Sequence, residues 1–259
     1  MGQAKPLRLL TYNIYLGGTG RLEAIYEVIA HAQADIITLN EADDPVLVAA
    51  LAERSAMHHV WAEGSGRRHI ATLSRFPIIE WRIYKTRPLT QAALETRLEA
   101  PGQPFTLYNV HLLPYPLLPL EIRRWQALGK LLAIIRQRQP GPHLIAGDFN
   151  AIAPGDPVLP RHDPAWAYRL MFLQGRRIFR LALTRLPQAG YTDCFRSLNP
   201  QTAGFTWTTD QLTSRNDYIW ADAYWAARLH ACWVVDDLAA VYKASDHLPV
   251  LAEFGSPIP

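Results

Sequence analysis

Cysteine is scarce. Cys194 and Cys232 are the only two in 259 residues, too few for a disulfide scaffold, and they read as small core hydrophobes. No apolar run approaches the ~18 residues that a membrane-spanning helix requires, so stable membrane insertion is not expected. Charge of one sign is lacking too: 26 Lys and Arg against 23 Asp and Glu leave a formal net charge of +3. That balance suits a polyanionic ligand but is far from a histone-like coat. The opening residues, Met1-Gly2-Gln3-Ala4-Lys5-Pro6, carry no signal-peptide core and no Ser or Thr at the sixth position of a myristoylation signal. A cytoplasmic protein is expected. Apolar residues make up 49% and charged residues 19%, which excludes global disorder and predicts a soluble globular chain with a large core.

At ~150 residues per domain the length admits two domains, but single sheet-rich domains often reach it; one domain over 1–259, acting as a monomer, is expected. No short repeat is present, yet a coarse duplication is. Leu22, Ile25, Ile29 and Ala30 form a helical stripe before the strand Asp35–Leu39. Ile122, Trp125, Leu128, Leu132 and Ile135 form another before the strand His143–Ala146. Each strand runs into oxygen-bearing side chains, Asn40-Glu41 in one case and Asp148 with Asn150 in the other. Two similar halves facing one another would explain this, although helix followed by strand is common in any α/β chain. Further strands are predicted at Leu7–Tyr15, Ile70–Ser74, Ile78–Tyr84, Thr96–Ala100, Phe105–His111, Tyr218–Ala221 and Val250–Phe254. This pattern predicts packed sheets with outer helices. Residues 153–190 read as an irregular, Arg-rich helical excursion.

Five segments end strands on polar residues that a core reading leaves unexplained. In Thr11-Tyr12-Asn13-Ile14 the Asn can offer an amide oxygen to a cation or serve as a turn residue. In Leu39-Asn40-Glu41 a carboxylate follows a strand that should be buried; a solvent-facing strand end is the plain alternative. His111, in Tyr108-Asn109-Val110-His111-Leu112, taken alone reads as a satisfied core histidine. Asp148 and Asn150, in Gly147-Asp148-Phe149-Asn150, are two apart on an extended segment and project to one side, with Gly147 allowing close backbone approach. In Ser245-Asp246-His247-Leu248-Pro249-Val250, Pro249 keeps Leu248 extended and fixes how the Asp-His pair is presented.

In this order the segments resemble the endonuclease/exonuclease/phosphatase superfamily, which includes pancreatic-type deoxyribonucleases, exonuclease III, sphingomyelinases and inositol-polyphosphate phosphatases. The resemblance spans Leu7 to Phe254, supported by Leu73-Ser74-Arg75-Phe76-Pro77-Ile78, Gly190–Arg196, Gly204-Phe205-Thr206-Trp207 and Arg215-Asn216-Asp217-Tyr218-Ile219. It implies a four-layered α-β-β-α sandwich of two mixed sheets with outer helices. It also implies a Mg²⁺-dependent hydrolase of phosphate esters in which Mn²⁺ substitutes, consistent with hard oxygen ligands and no Cys/His cluster. Glu41 is then the firmest metal ligand, with Asn13 and Asp246 beside it. His247 is the general base, held in its tautomer by Asp217. Asp148 aligns the attacking water or takes its proton in place of His247, and Asn150 holds a phosphate oxygen or a ligand. His111 hydrogen-bonds a phosphate oxygen and, when protonated, offsets its charge.

Three positions depart from the family pattern: Asn40 where Gln usually precedes the metal-binding Glu, Asn216 where an apolar residue is usual, and His69 where Gly or Asn is frequent. No acidic partner for His111 is identifiable. From Arg161 to Arg185 six arginines (Arg161, Arg169, Arg176, Arg177, Arg180, Arg185) meet one acid, Asp163, with Trp166, Tyr168, Phe172 and Phe179 interleaved. That patterning suits a phosphate backbone or an amphipathic helix on anionic lipid; the plain reading packs the aromatics inward and solvates the arginines. The apolar, Pro-rich Leu113–Leu120 segment could meet a membrane or pack on its own protein. The leading expectation is a phosphodiesterase acting on DNA or other nucleic acid. The alternative is a lipid or sugar-phosphate esterase of sphingomyelinase-like or inositol-phosphate-like kind. A non-catalytic binding module is disfavoured by the combined presence of metal-holding and water-activating groups.

Overall fold

A computed structural model describes residues 6–66, 68–89, 92–100, 102–160 and 165–255; Arg161 and Asp163 and the opening Met1–Lys5 lie outside them. Twelve strands are found among the described residues: β1 (Leu7–Asn13), β2 (Ile36–Asn40), β3 (His58–Ala62), β4 (Ile70–Ser74), β5 (Ile78–Tyr84), β6 (Ala92–Leu98), β7 (Phe105–His111), β8 (His143–Asp148), β9 (Thr192–Asp193), β10 (Asp217–Ala221), β11 (Leu229–Val234) and β12 (Val250–Phe254). They form two six-stranded sheets, ordered β11-β12-β1-β2-β4-β3 and β5-β6-β7-β8-β10-β9. The duplication expected from sequence is visible in the order. In each sheet a parallel pair, β1 with β2 or β7 with β8, is extended by an antiparallel strand, β4 or β10.

The principal helices are α1 (Leu22–Ala32), α2 (Pro45–Arg54) and α3 (Leu118–Arg138). Asp44 caps α2 by accepting from the Val46 and Leu47 N–H groups, with Pro45 fitting the first turn. Helices α1 and α3 both end on a residue in the left-handed region, Gln33 and Gln139. Alternation along the strands sorts side chains into layers. Leu10 and Tyr12 of β1 join α1 and α2 in one outer core, and Tyr108 and Val110 of β7 join α3 in the other. Leu7, Leu9, Phe105, Leu107, Leu144 and Ala146 meet between the sheets. This is the four-layered sandwich that the resemblance implies.

Several expected boundaries move. The first strand stops at Asn13, short of Tyr15, because Tyr15 and Leu16 take positive φ values of 51° and 48°. The strand expected at Thr96–Ala100 runs Ala92–Leu98. β3, β9 and β11, unforeseen from sequence, lie at the outer ends of the sheets, where partial exposure blurs hydrophobic alternation. Among the described residues of the 153–190 excursion, helical elements include α4 (Ala165–Leu173), a 3₁₀ turn at Ala182–Thr184 and α5 (Arg185–Gln188). The expected inward packing of its aromatics is also corrected: Trp166, Tyr168 and Phe172 are exposed. Three short helices, α6 (Cys194–Leu198), α7 (Ala223–Ala226) and α8 (Val241–Ala244), follow, and a 3₁₀ turn at Leu16–Gly18 precedes α1.

Candidate active site

The inward-facing positions of the central strands change character toward one end. In β1 they run Leu7, Leu9, Thr11, Asn13; in β7, Phe105, Leu107, Asn109, His111; in β8, Leu144, Ala146, Asp148. The inter-sheet core thus turns from apolar to polar at the C-terminal ends of both parallel pairs. Asn13 stands beside Asn40 in one sheet, and His111 beside Asp148 in the other. Asp217, at the start of antiparallel β10, is also opposite Asp148. All of these side chains are buried, so each must find a partner or a ligand.

Asn40 joins the two halves. Its amide donates to Asn109 Oδ1 and the Val110 carbonyl, both at 3.0 Å, and its Oδ1 accepts the Asp148 N–H at 2.9 Å. Asn109 donates in turn to the Leu39 and Ala71 carbonyls. The Gln-to-Asn departure read in the sequence therefore sits in a bridge that fixes the backbone of Asp148. Gly147 is required just before it: with φ at +142°, a Cβ there would lie 1.9 Å from the Val110 carbonyl oxygen. Asp148 accepts from Asn13 Nδ2 (3.0 Å), the Asn150 N–H (2.8 Å) and Asn150 Nδ2 (3.0 Å). Asn150, at φ 47°, also donates to the Leu112 carbonyl.

Glu41 follows β2 with φ at 51°, an uncommon region for a residue with a side chain and one that clusters at functional sites. Its Oε2 accepts the Leu16 N–H at 2.9 Å, and its Oε1 takes the Arg68 guanidinium at 2.8 Å. Sequence reading passed over Arg68; a basic pair in the Gly-rich turn before β4 was the available signal. His69 next to it does not line the cleft. Its Nδ1 accepts the Gly64 N–H, and its ring meets Trp61 edge-on at 4.9 Å. Asp246 receives a bond from the Trp207 side chain, while its Oδ1 is buried without a partner.

His247 is clamped from several directions. Its Nδ1 lies 2.8 Å from Asp217 Oδ2, and its N–H donates to Ser245 Oγ, which donates to the Asn13 carbonyl at 2.6 Å. Nε2 is therefore the atom left for chemistry, 4.0 Å from Asp148 Oδ2. Asn216 does not disturb this pair: its own N–H and that of Asp217 both donate to Thr206 Oγ1. Beneath the strand start, buried Arg215 bonds Asp156 Oδ2 at 2.8 Å and both carboxylate oxygens of Asp193 at 2.8 and 2.6 Å. Neither Asp156 nor Asp193 was singled out by sequence reading.

The titrations differ sharply between the two imidazoles. Burial opposes charge on His247, but the carboxylates of Asp217, then Asp148 and Asp246, outweigh it and raise the group to about 10. Burial, helped by the charges of Arg68 and His247, pushes His111 down to about 3, against the pull of Glu41. That shift disfavours the protonated form of His111 that would offset phosphate charge. Its Nε2 lies 3.7 Å from Asp148 Oδ2, the acidic neighbour that sequence could not identify, and neither ring nitrogen has a hydrogen-bond partner. Asp148 is raised by burial and by the charge of Asp217.

Glu41, Asp148, Asn150, Asp246 and His247 share the wall of one cleft of about 490 Å³. The buried carboxylate oxygens left without partners, Asp246 Oδ1 and Asp217 Oδ1, and the hard oxygen donors around them fit a divalent cation of the Mg²⁺ type. Asp148, Asp217 and His247 form a trio whose ligand atoms all lie within 4.8 Å of one another. This trio differs from the set Asn13, Glu41 and Asp246, of which Asn13 Oδ1 accepts the Tyr15 N–H and Glu41 holds Arg68.

The sequence profile of the Endonuclease/Exonuclease/phosphatase family matches residues 10–247. Among curated proteins no match is found. Similar solved structures include NExo, a 3′ phosphatase from Neisseria bound to product DNA hairpin, at 24% identity and TM-score 0.72 over 96% of this chain and 99% of that one. An AP endonuclease from Archaeoglobus fulgidus is 20% identical with TM-score 0.74, over 96% and 99%. A humanized TDP2 of D. rerio is 18% identical with TM-score 0.70, over 98% and 100%.

Proposed function

The chain belongs to the endonuclease/exonuclease/phosphatase family, and from that premise we propose that it is a Mg²⁺-dependent phosphodiesterase that attacks phosphorus with an activated water. The observation that carries this reading is the Asp217–His247 pair at 2.8 Å, its free Nε2 turned toward Asp148 in the cleft shared with Glu41 and Asp246. A cation held by Glu41 and Asp246, with Asn13 beside them, would neutralise charge on the phosphate oxygens.

The remaining work belongs to side chains. Asp217 fixes the tautomer of His247 so that Nε2 faces the water. A cation beside Asp246 would offset the carboxylates that hold His247 protonated, and the neutral imidazole then accepts the water's proton as the water oxygen bonds to phosphorus. Asp148, held by Asn13 and Asn150, aligns that water from the other side. His111, with neither ring nitrogen otherwise hydrogen-bonded, donates one N–H to a phosphate oxygen. As the P–O bond breaks, the electron pair leaves with the ester oxygen, which takes a proton from solvent water to become the alcohol, while His247 returns its proton to solvent. Asn150 keeps Asp148 in register, a role that accounts for its bonds better than direct phosphate contact does.

Nucleic acid is the first substrate class, supported by the DNA hairpin product and the AP endonuclease named among the similar structures. A second reading, a phospholipid-type ester, is favoured by the cleft wall, where Pro114, Tyr115, Ile152, Trp166, Met171 and Phe179 supply apolar surface. The test is an activity panel in Mg²⁺ or Mn²⁺ with an EDTA control: single- and double-stranded DNA, an abasic duplex, RNA, sphingomyelin, inositol phosphates and bis-p-nitrophenyl phosphate. Hydrolysis of at least one phosphodiester that stops in EDTA is expected, with His247→Ala reducing it by ~10²-fold or more. Metal-independent hydrolysis, or turnover undiminished in His247→Ala, would overturn the assignment.

A further inference from the structure

Helix α4 is built inside out. A surface helix ordinarily buries its large apolar residues and exposes polar ones. Here the buried positions are Ala167 and Met171, while Trp166, Phe172 and Leu173 stand 45%, 60% and 80% exposed. Gln174, just past the helix end, ties this face to the Pro-rich loop: its Oε1 accepts the Leu118 N–H, and its Nε2 donates to the Pro116 carbonyl. Tyr115 meets Trp166 edge-on at 5.4 Å. The exposed rings and aliphatic groups of Tyr115, Leu118, Trp166, Phe172 and Leu173 therefore form one patch.

Its rim is cationic. Residues 165–190 contain five arginines and no acid. Arg180 is spent on the Ala153 and Asp156 carbonyls, and Arg185 lies over the Trp125 ring at 3.4 Å. Arg169, Arg176 and Arg177 remain exposed, with Arg176 set 5.5 Å from the Phe172 ring centroid at the border between charge and apolar surface.

We propose that the outward face of α4 and the 114–118 loop form a docking surface for anionic phospholipid, which brings the cleft mouth to the lipid interface. Apolar groups enter the boundary between headgroups and acyl chains, and the flanking arginines pair with anionic headgroups. A nucleic-acid backbone would use the arginines but gain nothing from Leu173. A second copy of the chain packed symmetrically on this patch would set arginines against arginines. No helix among the described residues is long and apolar enough to cross a membrane, so the attachment is peripheral. Continuity with the site is direct, because Tyr115, Trp166 and Met171 also line the cleft. This inference goes beyond the phosphodiesterase assignment, and its failure would leave that assignment standing.

The test is co-sedimentation of the full chain with phosphatidylcholine vesicles, with and without phosphatidylserine, at low and high salt. Wild type should sediment with the phosphatidylserine vesicles and be released by salt. Both the F172S/L173S and the R176A/R177A double variants should lose about tenfold or more of that binding. Their melting temperatures, and their rates on bis-p-nitrophenyl phosphate without vesicles, should match wild type. Because the wild-type measurement needs no variant, a substitution that fails to fold cannot hide the answer. Wild type that ignores the charged vesicles, or a F172S/L173S variant that binds them as well as wild type does, overturns the proposal. So does binding of the R176A/R177A-sensitive kind to duplex or single-stranded DNA alone, which would mark a nucleic-acid rim. A wild-type dimer that F172S/L173S converts to monomer would overturn it in favour of self-association.

Discussion

The Oδ1 atom of Asn40, at the end of a strand in one sheet, accepts the backbone N–H of Asp148, at the end of a strand in the other, over 2.9 Å. Through this bond the inter-sheet packing sets where the Asp148 carboxylate stands. Replacing Asn40 with Leu strands that N–H and the Asn109 and Val110 acceptors in a buried space. Urea unfolding should show a loss of about 1–3 kcal/mol, and turnover should fall further than the residual fold explains. Unchanged stability and rate would detach the site from the bridge.

Gly147→Ala should be harsher. The added methyl would meet the Val110 carbonyl oxygen at 1.9 Å, between strands that cannot part without moving His111 and Asp148. A loss of about 3 kcal/mol or more, or failure to fold, is expected from the clash and the unfavourable φ. Thermal unfolding of the purified variant measures it; a melting temperature equal to wild type would contradict the packing described.

The His247–Asp217 pair predicts a pH signature in stability. The folded value of His247 is raised to about 10, above the ~6.5 of an unfolded histidine. The pair's contribution is therefore complete below pH ~6.5 and is lost as pH rises through the folded value. The melting temperature of metal-free wild type should exceed that of His247→Gln most at pH 6 and converge on it near pH 10. A difference that grows with rising pH would reverse the assignment of the charged partner.

Arg68 occupies a carboxylate oxygen that a cation would use. Arg68→Ala frees Glu41 Oε1 from its 2.8 Å ion pair, so Mn²⁺ binding, followed by calorimetry on the metal-free protein, should tighten. Weakened binding would mean that Arg68 supports the metal site rather than competing for it.

Much of this architecture is readable from alternation. The inward positions Leu7, Leu9, Thr11, Asn13 and Phe105, Leu107, Asn109, His111 carry the layer assignment and the polar strand ends in the sequence itself. Contacts that close only in three dimensions are not written there. Asn40 meets Asn109 and Asp148 across two sheets, and Arg68 reaches Glu41 from a neighbouring loop. Arg215 finds Asp156 and Asp193 from distant segments. The downward shift of His111 likewise comes first from complete burial, which a strand-end histidine does not announce. The outward-facing aromatics of α4 escaped because helical periodicity gives the apolar stripe but not the side on which it faces its neighbours.

If polar strand ends from both sheets hydrolyse a phosphodiester around one hard cation, as proposed, turnover must depend on that cation and on Glu41. Release of p-nitrophenol from bis-p-nitrophenyl phosphate, followed against Mg²⁺ concentration in wild type and Glu41→Gln, measures that dependence. Wild type should be silent in EDTA and saturate with Mg²⁺, while Glu41→Gln should need more Mg²⁺ and reach a lower plateau, a neutral amide being the poorer ligand. Superimposable curves, or a rate that survives EDTA, would contradict the claim.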